Sequence, residues 1–190
     1  MADREIEAKF ELQDPTQIEH WRTLPGLADA FPLESAITVT HTDTYLDSAE
    51  YSLLRAGYAL RLRAGAHGYL VTLKTLSLGS DLLVHNRLEL EGPISDGADP
   101  LQMKQWPKEI RNTVKPLVEA DTPWQVLCTL QQTRHKRAVL AQPVEGETQQ
   151  PIAELSIDEV RVYGPGFASL GDAANAPAQA AKPITEFREI

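Results

Sequence analysis

Charged and apolar residues alternate along 5–12. Glu5, Glu7, Lys9 and Glu11 hold one parity; Ile6, Ala8, Phe10 and Leu12 hold the other. Successive side chains of a strand point to opposite faces, so this spacing predicts a strand over 4–12 with one charged and one apolar side. The alternation returns with both charge signs at 59–63 (Arg61 and Arg63 against leucines), 70–74 (Thr72 and Lys74), 87–91 (Arg87, Glu89 and Glu91 against leucines) and 154–158 (Glu154 and Asp158). One such strand is ordinary. Five in 190 residues predict a sheet closed on itself, with a charged interior and an apolar outer side packed under helices.

The intervening sequence supplies the remaining elements. Asp14-Pro15 reads as a helix start, with Ile18, Trp21 and Leu24 at helical spacing until Pro25-Gly26. Residues 36–46, rich in Thr, Val, Ile and Tyr, read as a strand. A short turn or helix at 53–57 leads into a hairpin of 58–64 and 69–76 across Gly65-Ala66-His67-Gly68. The sheet continues over 84–92. The stretch 98–120 reads as helical, divided or kinked by Pro107 and Pro116. Strands are expected at 125–141 and 151–163, a mobile Ala-, Gly- and Pro-rich loop at 164–182, and a last strand at 184–190. The expected class is α+β: one domain over 1–190, an antiparallel eight-stranded β-barrel with helices outside.

Composition narrows the function. The length and 42% hydrophobic content suit one globular core. No apolar run is long enough to span a bilayer, and the charged start shows no secretory pattern, so the expectation is a cytoplasmic protein without membrane contact. Cys128 is the single cysteine, which excludes an internal disulfide framework. A formal net charge of −9 argues against a nucleic-acid partner, but a local basic cluster can still hold a small anion.

The ordered set of these segments resembles the CYTH superfamily, the triphosphate tunnel metalloenzymes. The resemblance is carried by Glu5-x-Glu7-x-Lys9, Asp43-Thr44-Tyr45-Leu46-Asp47, Tyr58 to Arg63, Val71 to Lys74, Arg87 to Glu91, Thr133 to Arg137, Glu154 to Asp158 and Phe187 to Ile190. It implies basic residues on phosphate and acidic residues on metal. Arg61, Arg63, Lys74, Arg87 and Arg134 are the expected phosphate contacts, with Lys9 and Lys136 beside them. Arginine grips phosphate as a fork and lysine acts as a point charge, so both suit a polyanion. Glu5, Glu7, Glu89, Glu91, Glu154, Asp158 and Glu189 are the expected ligands for Mg²⁺ or Mn²⁺, hard cations that take oxygen donors. Lys9 is also expected to orient the attacking water.

The activity so implied is metal-dependent hydrolysis of tripolyphosphate or of an organic triphosphate such as a nucleotide or thiamine triphosphate. The alternatives are cyclisation of ATP, as in class IV adenylate cyclases, and a non-catalytic polyphosphate-binding module. In the family the last strand continues past the position of Ile190, so the resemblance implies a clipped final strand, with a helical CHAD domain as the usual sequel. Arg137 lies opposite Arg134 and Lys136 by parity, and Tyr45 and Asp47 are expected to support the strand. The five histidines show no metal-ligand spacing, and neither a P-loop nor a nucleophile elbow is present.

Overall fold

The computed structural model describes residues 3–8, 10–14, 16–28, 30–65, 68–76, 84–119, 121–143, 146, 148–165 and 182–190, with backbone alone over 3–7 and 84–87. The strands are β1 (Asp3–Ala8), β2 (Gly26–Leu27), β3 (Phe31–Pro32), β4 (Ile37–Asp47), β5 (Tyr58–Gly65), β6 (Gly68–Thr75), β7 (Val84–Ile94), β8 (Gln125–Leu140), β9 (Pro151–Tyr163) and β10 (Thr185–Glu189). The helices are α1 (Gln17–Thr23), α2 (Ser52–Arg55) and α3 (Lys108–Val114), with a 3₁₀ turn at Met103–Gln105. Eight strands form one sheet in the order β1-β7-β6-β5-β4-β8-β9-β10, and β2 and β3 form a separate pair.

The α+β class and the eight-stranded sheet are those the alternation predicts. The sheet order is open, with β1 and β10 as its end strands. Residues beyond β1 bond the last strand instead. Phe10 and Ile190 exchange two backbone hydrogen bonds of 2.9 Å, Leu12 donates to the Arg188 carbonyl at 2.9 Å, and Glu11 and Glu189 form an antiparallel bridge. Of the expected strand over 4–12, the structure describes β1 and this short segment; Lys9 lies outside the described residues.

The chain divides into two compact units. The first comprises Met1–Ala8, Thr42–Gln131 and Val162–Thr185; the second comprises Lys9–His41, Gln132–Arg161 and Glu186–Ile190. In the first, β4–β5, β5–β6, β6–β7 and β1–β7 are antiparallel ladders. Leu46, Leu60, Leu62, Val71 and Leu73, one parity of these strands, are buried together with Trp106, Ile110 and Val114. Ile110 and Val114 stand four apart, one turn of α3, so a single helix face covers the leucines. Gly92 allows this packing, because a Cβ there would lie 2.6 Å from the Pro107 ring. Gly68 turns the β5–β6 hairpin at φ 108°, where any side chain would also meet the Ile94 carbonyl.

The expected helix over 98–120 is much shorter. Pro107 is extended (φ −52°, ψ 146°), and α3 starts only after it. Pro116, which has no N–H to donate, lies two residues past the helix end at Val114. Upstream, Asp99 turns the chain by accepting the Leu101 N–H at 3.0 Å. At the end of β4, Asp47 accepts the Ser48, Leu53 and Leu54 N–H groups at 2.7, 2.9 and 2.9 Å, which anchors α2. That is the supporting role its position suggested.

In the second unit Leu12, Ile18 and Ile157 form a small core, with Trp21 and Ile190 against it. The helix begins at Gln17, later than Asp14-Pro15 suggested. The Asp14 carboxylate instead accepts the Thr16 hydroxyl and N–H at 2.7 and 2.9 Å, which holds its pKa below the usual aspartate value. The expected loop at 164–182 lies outside the described residues over 166–181. Among the described residues no helix is long and apolar enough to cross a membrane.

Candidate functional site

The strand parity that buries the leucines places charge on the other side of the same four strands. Register sets Tyr45 opposite Arg61, Asp43 opposite Arg63, Arg61 opposite Thr72, Thr72 opposite Glu91, and Lys74 opposite Glu89. Cross-strand partners share a face, so Asp43, Arg61, Arg63, Thr72, Lys74, Glu89 and Glu91 form one polar row. Five of the expected site residues meet here: Arg61, Arg63, Lys74, Glu89 and Glu91.

These side chains form a mesh. Arg63 donates Nε and Nη2 to the two Asp43 oxygens, each at 2.7 Å, a bidentate fork. Arg61 is shared more widely. It donates to Thr72 Oγ1 at 3.0 Å and to Glu91 at 3.3 Å, and it lies 3.6 Å from Asp43 and 3.8 Å from Glu89. Among the described residues its Nε is buried without a hydrogen-bond partner. Thr72 donates to Glu91 at 2.8 Å, and Lys74 Nζ pairs with Glu89 at 2.9 Å. The Asp43 and Arg61 side chains are only 3% and 12% exposed. Water therefore screens these charges weakly, and their mutual attraction is stronger than on an open surface.

Four more expected site residues meet in the second unit. Arg134 on β8 forks Asp158 on β9 at 2.8 and 2.7 Å, and Lys136 lies 3.4 Å from Glu154. Arg137, of the opposite parity, donates to the carbonyls of Trp21, Leu24, Leu33 and Glu34 at 2.6 to 3.3 Å. It is a structural arginine, consistent with its parity. Beside it, His135 contacts Thr38 Oγ1 at 2.8 Å and Glu159 at 3.4 Å, and Glu159 lies 3.9 Å from Arg188.

For β1 and the start of β7 the backbone alone speaks. Glu5 is the register partner of Arg87, Asp3 of Glu89, and Glu7 of His85. The side chains of Glu5, Glu7 and Arg87, and all of Lys9, lie outside the described residues. Glu189 takes part in the bridge with Glu11. Glu89 and Glu91, two apart on β7 and roughly 7 Å along it, offer hard oxygen donors of the kind Mg²⁺ and Mn²⁺ take. No group of three His, Cys, Asp or Glu among the described residues is close enough to hold a metal by itself. Burial raises the Cys128 thiol pKa, which keeps it from acting as a thiolate nucleophile.

Sequence reasoning missed Asp43. It stands two residues before Tyr45 in a quoted motif, but its partner Arg63 is twenty residues away and only the β4–β5 register joins them. Two surface grooves of about 510 and 620 Å³ share Val118, Glu119, Asp121 and Thr122, and none of the expected site residues lines either.

Comparison with known proteins agrees with this architecture. Solved chains with the same fold include a candidate adenylate cyclase from Bacillus halodurans, at 15% identity and a TM-score of 0.51, covering 99% of this chain and 78% of that one. At that identity the likeness concerns the fold. No curated protein matches. The CYTH domain model matches residues 3–177, nearly the whole length, so the chain belongs to the CYTH domain family.

Proposed function

We propose that this chain is a metal-dependent triphosphatase that hydrolyses inorganic tripolyphosphate or an organic triphosphate. The observation that carries the reading is the row on β4–β7, where Arg61 and Lys74 contact Glu89 and Glu91 beside the buried Arg63–Asp43 fork. CYTH proteins are typically enzymes acting on phosphates, and they use divalent metals.

In this reading Arg61 and Arg63 offer planar N–H groups to phosphoryl oxygens, and Lys74 adds a point charge on the neighbouring strand. The orphan Nε of Arg61 gains an acceptor when an anion enters. Glu89 and Glu91, with Glu5 and Glu7 of the same sequence parity, would hold Mg²⁺ or Mn²⁺. The metal, when bound, supplies charge neutralisation at phosphate oxygens and a nucleophilic water at neutral pH. The side chains hold the terminal phosphorus in line with the attacking water and offset the charge that spreads over its oxygens. In the second unit Arg134 is the further phosphate contact, and Asp158 and Glu154 are further acidic positions. The reading takes 1–190 as one CYTH domain, in which Arg87, Lys9, Lys136 and Glu189 keep their assigned roles.

A second reading is ATP cyclisation, favoured by the description of the Bacillus halodurans structure as a candidate cyclase. The two differ in the nucleophile, water or the ribose 3′-hydroxyl. One panel separates them: tripolyphosphate, ATP and thiamine triphosphate, each with Mg²⁺ or Mn²⁺, read for orthophosphate, pyrophosphate and cyclic AMP. Orthophosphate from tripolyphosphate is the expected result. Cyclic AMP with pyrophosphate would transfer the assignment to the cyclase. Tight polyphosphate binding without any product would leave a binding module.

A further inference from the structure

We propose that Asp43 is a positioning residue of this site, which sets the orientation of both arginines before any anion arrives; the functional part of this inference rests on the triphosphatase reading. Asp43 is 3% exposed, and both its oxygens accept from the Arg63 fork at 2.7 Å. The same Oδ2 lies 3.6 Å from Arg61 Nη1. One buried carboxylate therefore restrains two cations two residues apart on β5.

The two arginines are held unequally. Arg63 has two short, parallel bonds to one carboxylate, Asp43, which fixes the plane of its guanidinium. Arg61 has hydrogen bonds of 3.0 and 3.3 Å, longer ion contacts to Asp43 and Glu89, and a buried Nε without a partner. A buried unmet donor is costly unless something completes it. Arg63 is thus the fixed reference of the site and Arg61 the arm left to close on a ligand. Asp43 also sets the charge. Arg61, Arg63 and Lys74 balance Asp43, Glu89 and Glu91 within the row. Asp43 therefore orients the arginines at the expense of ground-state attraction for an anion, the trade expected where binding energy is directed to the transition state.

Asp43→Asn separates these effects, because it keeps the shape and removes the charge. Arginine Nε–H NMR signals report the orientation without any ligand. In Asp43→Asn the Arg63 signal is expected to exchange with water at least about tenfold faster, as charge-assisted bonds become neutral ones. Metal-free tripolyphosphate, titrated calorimetrically, is expected to bind about fivefold tighter, since one repelling charge near 4 Å has gone. In turnover with Mg²⁺, kcat is expected to fall about 10- to 100-fold with KM unchanged or lower. If Asp43→Asn does not fold, Arg63→Lys takes its place: it keeps the charge, loses the fork, and is expected to lose kcat by the same order. An Arg63 signal as protected in Asp43→Asn as in the parent overturns the proposal. So does a lowered Tm with kcat and KM per folded molecule unchanged, or an Arg63→Lys variant that turns over like the parent. If the parent chain neither binds nor hydrolyses tripolyphosphate, the triphosphatase reading and the positioning role both fall, while the exchange rates still decide whether Asp43 holds the arginines.

Discussion

The polar row on β4–β7 and the polar pairs on β8–β9 are built from the same residue types, and they are wired differently. On the Arg134 face of β8–β9 the contacts run in pairs: Arg134 forks Asp158, and Lys136 reaches Glu154. On β4–β7 the contacts are shared, so that Arg61 touches Asp43, Thr72, Glu89 and Glu91. A one-to-one fork satisfies both members and stabilises a strand pair. In the mesh Arg61 divides its contacts among four partners, and among the described residues its Nε stays unmet, the feature on which the proposed ligand role rests. Removing a member should therefore cost stability at the forks and affinity in the mesh.

The largest effect is expected where an arginine serves structure alone. Arg137→Ala removes donors from four backbone carbonyls in the second unit. Chemical denaturation is expected to show a loss of about 3 kcal/mol, because the buried guanidinium packing goes and several partly buried acceptors are stranded at once. A loss below 1 kcal/mol would show that water replaces the guanidinium freely.

Next comes the fork of the second unit. Arg134→Ala leaves Asp158, 3% exposed, without its counter-ion. Stranding a buried charge costs about 3 kcal/mol. The paired Arg134→Ala/Asp158→Ala variant should recover part of that loss, and the recovered part is the coupling. A double variant as unstable as the sum of the two single ones would mean that the fork contributes nothing beyond packing.

Arg61→Ala tests the mesh. Glu91 keeps Thr72, Glu89 keeps Lys74 and Asp43 keeps Arg63, so no carboxylate is stranded and the stability loss should be smaller than that of Arg134→Ala. Tripolyphosphate affinity should fall roughly tenfold or more, the value of a hydrogen bond to a charged group. The reverse pattern, a stability loss with affinity kept, would make the mesh a fork like the other.

This contrast explains how much could be read from the sequence. Parity is local, so the division of Arg61 and Arg63 from Leu60 and Leu62, and of Arg134 from Arg137, was legible in the chain. Register is not local. That Asp43 meets Arg63, rather than a neighbour two residues along, depends on how β4 and β5 align around α2. The helix over 98–120 was overread because only Ile110 and Val114 of its buried apolar residues are helical. Trp106 is buried beyond the 3₁₀ turn with its indole N–H on the Pro100 carbonyl, and Pro107 confines the α-helix to seven residues. The metal role proposed for Glu5 and Glu7 rests on the family resemblance, and register sets their backbone opposite Arg87 and His85.

The smallest effect is expected at Lys136 and Glu154. Their side chains are 40% and 49% exposed, and the contact is 3.4 Å. Such a pair loses side-chain entropy and is screened by solvent, so Lys136→Ala should change stability by less than about 0.5 kcal/mol. The change should vanish in about 1 M salt, where the screening length is roughly 3 Å. Any larger effect of Lys136 must therefore appear in ligand affinity. A several-fold loss of tripolyphosphate binding in Lys136→Ala, with the denaturation midpoint unmoved, would make Lys136 a ligand contact of the second unit. Unchanged affinity would assign Lys136 to the solvated face of that strand and leave Arg134 as the β8 residue still to be tested against phosphate.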